Sequence, residues 1–512
     1  MTWRKFHKWV GLPMAIIIII FSISGIIMNH RNIFTHYYVP RILLPSAYQI
    51  KNFNNGIIKG TLPIDSTQML AYGVGGMWLI SDDSITDVIT HNNHSDYGID
   101  NIKISHVCPT DSTNQNFIAS GLYNLYSIKM KESQILTNII KIDNNDERIS
   151  DVTIHNDTIF ATCRSAIFTC RLNRQKWQKH ILKTPNNYNT EVSLFKTVWM
   201  LHSGELFGFT GRIIVDILGI VLIFLCITGI IFFILPYSIK HDNKLLKKNN
   251  ANIVNIKASL KRKTNWLRWN LKWHNKIGIS LVMLTLILSV TGMCLRPPLM
   301  IPLVLNSTAP IPYSTLDTDN AFSDKLRAMR FDEQQNVWIL STSMGFYSLT
   351  NIDAIPTKID NAPEISPMGI NVFQRNSSDS TEWLIGSFSG LFRWNINNNT
   401  IIDYFTGEAY RKPTGRPIGT HAVSGFSHEL NDVVFEYSNG ANKDILNKYN
   451  AEKMERTPMS LWNFALELHV GRCYEPLLGP FSALFVFIAG LLLTLILISG
   501  YIIRLKKNIK TN

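Results

Sequence analysis

The chain has 512 residues, 50 Lys+Arg against 37 Asp+Glu, a formal net charge of +13 and 46% hydrophobic residues. Only 17% of its residues are charged, against about 25% in an ordinary soluble protein, and with so many apolar residues this excludes intrinsic disorder. The basic surplus invites a nucleic-acid reading, which its distribution along the chain decides.

Four long apolar runs stand out: Val10–Met28, Ile213–Leu235, Ile277–Leu295 and Phe481–Ile503. Each is near the roughly 20 residues that cross about 30 Å of hydrocarbon as a helix. The first follows Arg4, Lys5 and Lys8, as a signal peptide would. It then continues through Gly25 to Asn29-His30-Arg31 with no small-x-small cleavage site, so it reads as a retained helix. The predicted order is therefore a flank and first span (1–30), an outer β-rich domain (31–198) and a second span (199–236). A basic loop (237–276), a third span (277–296), a second outer β-rich domain (297–465), a fourth span (466–504) and a tail (505–512) follow.

The charge orients these segments. The N-terminal flank carries +3, the loop from Pro236 to Lys276 carries +10 and the tail +4, more than the whole chain's surplus. Residues 31–211 carry +1 and residues 297–479 carry −6. By the positive-inside rule both termini and the middle loop are cytoplasmic, and the two large segments face outward. The expected location is a bacterial inner membrane, with membrane lipid as a partner and anionic lipid favouring the basic side. No basic face with base-stacking aromatics appears, so nucleic acid is excluded as a partner.

Both outer segments read as β. Short strand runs with Gly turns and aromatic residues recur in Gly76–Ser81, Asn116–Tyr126 and Thr158–Cys163 of the first segment and in Asn336–Tyr347 and Glu382–Trp394 of the second, about every 40–50 residues within each, the spacing of propeller blades. About three such units per segment could combine in one propeller or form two smaller β domains. Of the six cysteines, Cys163 and Cys170 flank a predicted hairpin, where a disulfide and two free half-buried thiols are both open. No C-x-x-C-H appears, which argues against covalently attached haem. No P-loop, G-x-S-x-G or dinucleotide fingerprint is present. His91, His94 and His106 lie in a polar loop and read as solvent-facing. Asp216 and Glu205, near the outer membrane face, are candidates for moving protons or binding a cation, with solvated or Arg212-paired carboxylates as the favoured reading.

The chain is a tandem repeat. His7, His202, His274 and His469 each precede one apolar run, and His7 to His202 and His274 to His469 are both 195 residues apart. Their surroundings share the register: His7-Lys-Trp-Val-Gly11 matches His274-Asn-Lys-Ile-Gly278, and Leu201-His202-Ser-Gly204 matches Leu468-His469-Val-Gly471. A duplicated helix–outer domain–helix unit follows, with functional sites at the repeat interface. The halves enter the membrane with one orientation and no broken span is expected, which disfavours an inverted-repeat transporter.

Ionisable residues near membrane depth are costly and usually functional. Equivalent positions in two halves bring His7 towards His274 near one face and His202 towards His469 near the other. Two imidazoles approaching from opposite helices are what a six-coordinate haem iron requires. Interfacial or capping roles, and direct binding of another metal, are the alternatives. The [ST]-Gly pairs Ser24-Gly25, Thr228-Gly229, Thr291-Gly292 and Ser499-Gly500 read as helix-packing positions.

The run Arg4-Lys-Phe-His7-Lys-Trp-Val-Gly11 leading to Ser-Gly-Ile-Ile-Met-Asn-His30 resembles the PepSY-associated transmembrane family. So does Leu201-His202-Ser-Gly204…Gly208…Gly211-Arg212 leading to Thr228-Gly229. The resemblance covers the four spans and their flanks. It implies an inner-membrane protein of iron uptake similar to ferric-siderophore reductases, with b-type haem, two by the count of histidine pairs, held by His7, His202, His274 and His469. His30 is a fifth candidate, weakened because its counterpart at the same offset is Pro297. The usual short α/β outer module of that family is not found in either loop.

The expectation is a four-span haem b oxidoreductase passing electrons to an extracytoplasmic ferric chelate or siderophore, from quinol or a separate cytoplasmic reductase. The other acceptors left open are copper and a protein thiol. The alternative is a non-enzymatic anchored sensor or partner-binding protein acting through its β-rich outer domains.

Overall fold

The computed structural model describes residues 2–509 except 82–83, 90–97, 114, 132–133, 144, 175, 248–252, 412–419 and 444–451. His91 and His94 lie outside the described residues. The chain forms two compact units. One holds Met1–Arg31, Thr190–Asp317 and Trp462–Asn512; the other holds Asn32–Asn189 and Thr318–Leu461.

The first unit is helical: α1 (Trp3–Asn29), α2 (Leu194–Ser203), α3 (Gly208–Leu246), α4 (Ile253–Ser280), α5 (Val282–Cys294), α6 (Leu461–His469) and α7 (Ser482–Ile509). Among the described residues, three helices are long and apolar enough to cross a membrane: Trp3–Asn29, Glu205–Leu246 and Arg472–Leu505. The third apolar run, expected as an unbroken span, is instead a pair of helices, Ile253–Ser280 and Val282–Cys294, bent by 67°. Gly278 lies beside the break, and Ser280 Oγ donates to the carbonyl of Lys276 at 2.8 Å. A Gly/Ser pair with a side chain competing for the backbone ladder is a recognised cause of such a bend.

Met14, Ala15 and Ile18 of α1 pack against Leu222 and Cys226 of α3 and Ala489 and Ile496 of α7. Small polar side chains weld the same bundle: Ser289 donates to the Gly490 carbonyl at 3.1 Å and sits 3.0 Å from Thr494 Oγ1. Outside, Ile16, Ile23, Ile217, Ile220 and Ile488 are exposed. An apolar exterior over a core rich in small polar residues is what a bilayer solvent requires.

The second unit is β-rich. Its two sequence segments, for which the sequence leaves one combined domain and two smaller ones both open, join in one unit. Among the described residues, six antiparallel sheets of three or four strands occur in chain order, three from each segment, five with four strands and the last with three, beside a two-stranded pair of Tyr38–Val39 with Met459–Ser460. Sheet 1 spans Gly60–Asp87, sheet 2 Val107–Ile140 and sheet 3 Ile149–His180. Sheet 4 spans Leu326–Lys358, sheet 5 Val372–Asp403 and sheet 6 Val423–Ala441. Each packs on the next through an apolar cluster. Sheets 1 and 2 share Leu70, Met77, Phe117 and Tyr126, and sheets 3 and 4 share Ile167, Phe322, Leu326 and Leu340. Ile57, Ala71 and Trp78 of the first sheet region then meet Leu430, Val433 and Phe435 of the sixth, so the cycle of sheets closes.

Closure explains why two segments make one unit. A sheet with both faces apolar must cover both, and the free faces at the ends of each three-sheet segment find their cover only in the other segment. Tight turns support the hairpins: Gly76, Gly345 and Gly390 all sit at positive φ between paired strands. Cys163 and Cys170 lie on neighbouring strands, with Cys170 opposite Ile159, and both thiols are free. The disulfide left open by the sequence is absent. Burial pushes the Cys163 thiol up to about 12.

Candidate functional site

The four repeat-related histidines meet in two pairs. The rings of His7 and His274 have centroids 6.3 Å apart and planes at 85°. Those of His202 and His469 are 6.1 Å apart at 46°. Each histidine stands on a different helix, His7 on α1, His202 on α2, His274 on α4 and His469 on α6.

Each imidazole is anchored through Nδ1 to a helix other than its own. His7 Nδ1 lies 3.1 Å from the Ile496 carbonyl and 2.9 Å from Ser499 Oγ on α7. His202 Nδ1 lies 3.0 Å from the Leu288 carbonyl and 3.1 Å from Thr291 Oγ1 on α5. His469 Nδ1 lies 3.0 Å from both the Phe21 carbonyl and Ser24 Oγ on α1. His274 Nδ1 lies 2.8 Å from Thr228 Oγ1 on α3. A carbonyl can only accept, so in His7, His202 and His469 the proton sits on Nδ1 and is donated. The other nitrogen, Nε2, is left as a lone-pair donor, and among the described residues it has no hydrogen-bond partner in any of the four.

The glycine after each hydroxyl residue gives the ring its space. A Cβ at Gly292 would stand 2.7 Å from His202 Cε1, and at Gly500 3.2 Å from His7 Cε1. At Gly25 it would stand 3.3 Å from His469 Cε1, and at Gly229 3.8 Å from His274 Cε1. The [ST]-Gly pairs that the sequence offered as packing positions are therefore imidazole cradles: hydroxyl for Nδ1, bare backbone for the ring edge. Their signal was visible as four dipeptides in repeat register, but only the cross-helix contacts give it meaning. Asn270, fully buried one turn before His274, adds a bond to the Thr228 carbonyl at 2.6 Å.

Paired imidazoles with fixed tautomers can hold one metal atom between them. No group of three or more His, Cys, Asp or Glu that could hold a metal ion occurs among the described residues, so the closed three- or four-ligand sites of zinc have no counterpart there. Imidazole anchoring through the distal nitrogen is the usual outer support of a metal-bound histidine.

His30 joins neither pair. It caps α1, and its Nε2 lies 2.9 Å from Asp216 Oδ2 on α3, while Asn29 Nδ2 donates to Asp216 Oδ1 at 2.8 Å. Asp216 is thus not a solvated or Arg212-bound carboxylate, as the sequence reading had it; its side chain is 13% exposed and bonded to the end of α1. His106 also departs from its expected solvent-facing place. It lies 3.1 Å from the Tyr72 hydroxyl in the β-rich unit, and burial with the nearby Arg330 and Lys59 charges holds its imidazole well below the usual range.

No curated protein matches the chain. Among solved structures, the extracellular domain of a B. thetaiotaomicron one component system is similar at 9% identity and a TM-score of 0.30, over 73% of this chain and 30% of that one. A B. thetaiotaomicron hybrid two component system's extracellular domain gives 7% and 0.33, over 77% and 39%. An ancestral GH74 enzyme gives 9% and 0.30, over 72% and 32%. The chain thus spans between 30% and 39% of the length of these structures. The model of the PepSY-associated TM region matches residues 1–235 and 244–507, well beyond the spans and their flanks. This membrane protein belongs to the family of the PepSY-associated TM region.

Proposed function

We propose that the protein is a four-span haem b oxidoreductase of the inner membrane, which passes electrons across the bilayer to a ferric chelate outside. The observation that carries this reading is the anchoring of all four histidines through Nδ1, with Nε2 unbonded and the rings 6.1–6.3 Å apart in two pairs. His7 and His274 would hold one haem and His202 and His469 a second. Bound there, haem iron supplies reversible one-electron transfer, with a potential set by its axial ligands and their hydrogen bonds. The chain's own residues orient the four ligands and fix the tautomer of His7, His202 and His469.

Four spans are counted when the bent pair Ile253–Ser280 and Val282–Cys294 is one crossing. Duplication is supported by the two matched stretches and by the equivalent anchoring of the four histidines. The closed cycle of six sheets supports reading the outer segments as one propeller, the platform on which a chelate would be received.

Oxidised and dithionite-reduced spectra of the detergent-purified protein test the reading. A b-type spectrum, reduced in amplitude by His7→Ala and by His202→Ala, is expected. A colourless preparation from haem-replete cells overturns it in favour of an anchored sensor. An unchanged spectrum in both variants rejects the ligands.

A further inference from the structure

We propose that His30 and Asp216 form the proton-accepting site of a membrane quinol that donates electrons to the haems; this rests on the function proposed above. Asp216 is a carboxylate inside a long apolar helix, where such a group is rare and marks a pathway for protons, ions or substrate. Its two oxygens are taken by Asn29 Nδ2 at 2.8 Å and His30 Nε2 at 2.9 Å. A carboxylate accepts, so Nε2 of His30 carries the proton and Nδ1 is the basic lone pair. Among the described residues nothing bonds that Nδ1. A carboxylate orienting one imidazole nitrogen while the other faces outward as a lone pair is the arrangement of a general-base pair.

Access comes from lipid. The His30 side chain is 41% exposed against 13% for Asp216, and Ile213 and Ile217, beside Asp216 on α3, are 40% and 52% exposed. A redox donor reaching this spot travels in the bilayer, as a quinol does, at the end of α1 opposite the basic N-terminal flank. The site is also near the electron path. His469 is anchored on Ser24, six residues before His30 on the same helix, a rise of about 9 Å.

The pair belongs to one half only. At the 267-residue offset His30 corresponds to Pro297 and Asp216 to Ala483, and at the 271-residue offset of the later spans Asp216 corresponds to Phe487. Ligands for two haems are needed twice, whereas a donor site is needed once. In the step, both quinol O–H bonds break and the ring leaves as quinone. The protons would pass to His30 Nδ1 in turn and leave by the Asp216 side for water, and the two electrons would go one to each haem held by the histidine pairs.

The test uses the full-length protein in detergent, anaerobic, with menadiol as the quinol probe and the b-type absorbance as readout. Menadiol is expected to reduce the wild type rapidly. His30→Phe and Asp216→Asn are expected to slow that reduction by about a hundredfold, the scale of a lost general base, while dithionite still gives the full reduced spectrum. Asp216→Glu restores part of the rate. Equal menadiol rates in wild type, His30→Phe and Asp216→Asn overturn the proposal, as does a wild type that dithionite reduces and menadiol does not. A preparation without haem fails at the dithionite step and overturns the parent reading instead.

Discussion

The imidazole of His7 lies 2.9 Å from the hydroxyl of Ser499, so the first helix of the chain is hydrogen-bonded to the last through a residue 492 positions away. The same relation holds between His469 and Ser24. The histidine pairs are thus held by helices other than the ones that carry them, and moving any one helix moves a ring.

Steric grading around the cradles gives the first prediction. Gly292→Ala places a methyl 2.7 Å from His202 Cε1, too close to accommodate without moving the ring, whereas Gly229→Ala places one 3.8 Å from His274 Cε1, an ordinary contact. The first change is expected to displace His202 and lose part of the haem spectrum; the second is expected to be close to silent. Reduced-minus-oxidised spectra of the two variants, at matched protein concentration, separate them.

Removing a hydroxyl while keeping the carbonyl gives a finer effect. In Thr291→Val the His202 Nδ1 keeps the Leu288 carbonyl at 3.0 Å, so the loss is one shared acceptor, about 1 kcal/mol. Outer ligand support of this kind changes metal affinity by about 10–100-fold. Faster haem release to apomyoglobin from Thr291→Val than from wild type is the expected measurement.

The closure of the sheets predicts coupling between distant segments. Phe322 and Leu326, fully buried, pack with Ile167 and Leu182 from the other segment. Phe322→Ala is expected to cost about 3–5 kcal/mol and to raise amide exchange in 149–182 as well as in sheet 4. Exchange confined to sheet 4 would show that the segments fold independently.

Acid sensitivity follows from His106. Burial, then Arg330 and Lys59, lower its affinity for a proton in the folded state, so the unfolded chain binds the extra proton below its ordinary value near 6.5. Stability therefore rises with pH through that region and is lost as pH falls below about 6.5. In His106→Asn the melting temperature of the β-rich unit is expected to lose this part of its pH dependence below about 6.5.

The apolar runs, the repeat and the four histidines were legible because each is a pattern along the chain: hydropathy, offset, identity of residue. The pairing of His7 with His274 followed from the offset alone. Other features depend on what the chain brings together. Ser280 and Gly278 gave no warning strong enough to place a bend inside an apolar run. Asp216 had Arg212 one turn away, and nothing local favoured Asn29 and His30, some 186 residues distant. Tyr72 and His106 meet because neighbouring sheets pack side by side, a contact between segments that no periodicity announces. The union of the two β-rich segments is of the same kind. Each reads as three hairpin-like units, and only the uncovered faces at their ends require the other.

That closed cycle has a consequence for biosynthesis. Sheet 3 is complete once His180 has been made, but the partners of sheets 1 and 3 are not complete until Ala441 and Lys358. At about 5–20 residues per second, the nascent first segment waits on the order of ten to fifty seconds with apolar faces uncovered. Contacts of such long sequence separation also form slowly. The protein should therefore depend on holding factors during synthesis, and a strain lacking them should lose this chain to proteolysis before its last helix is inserted.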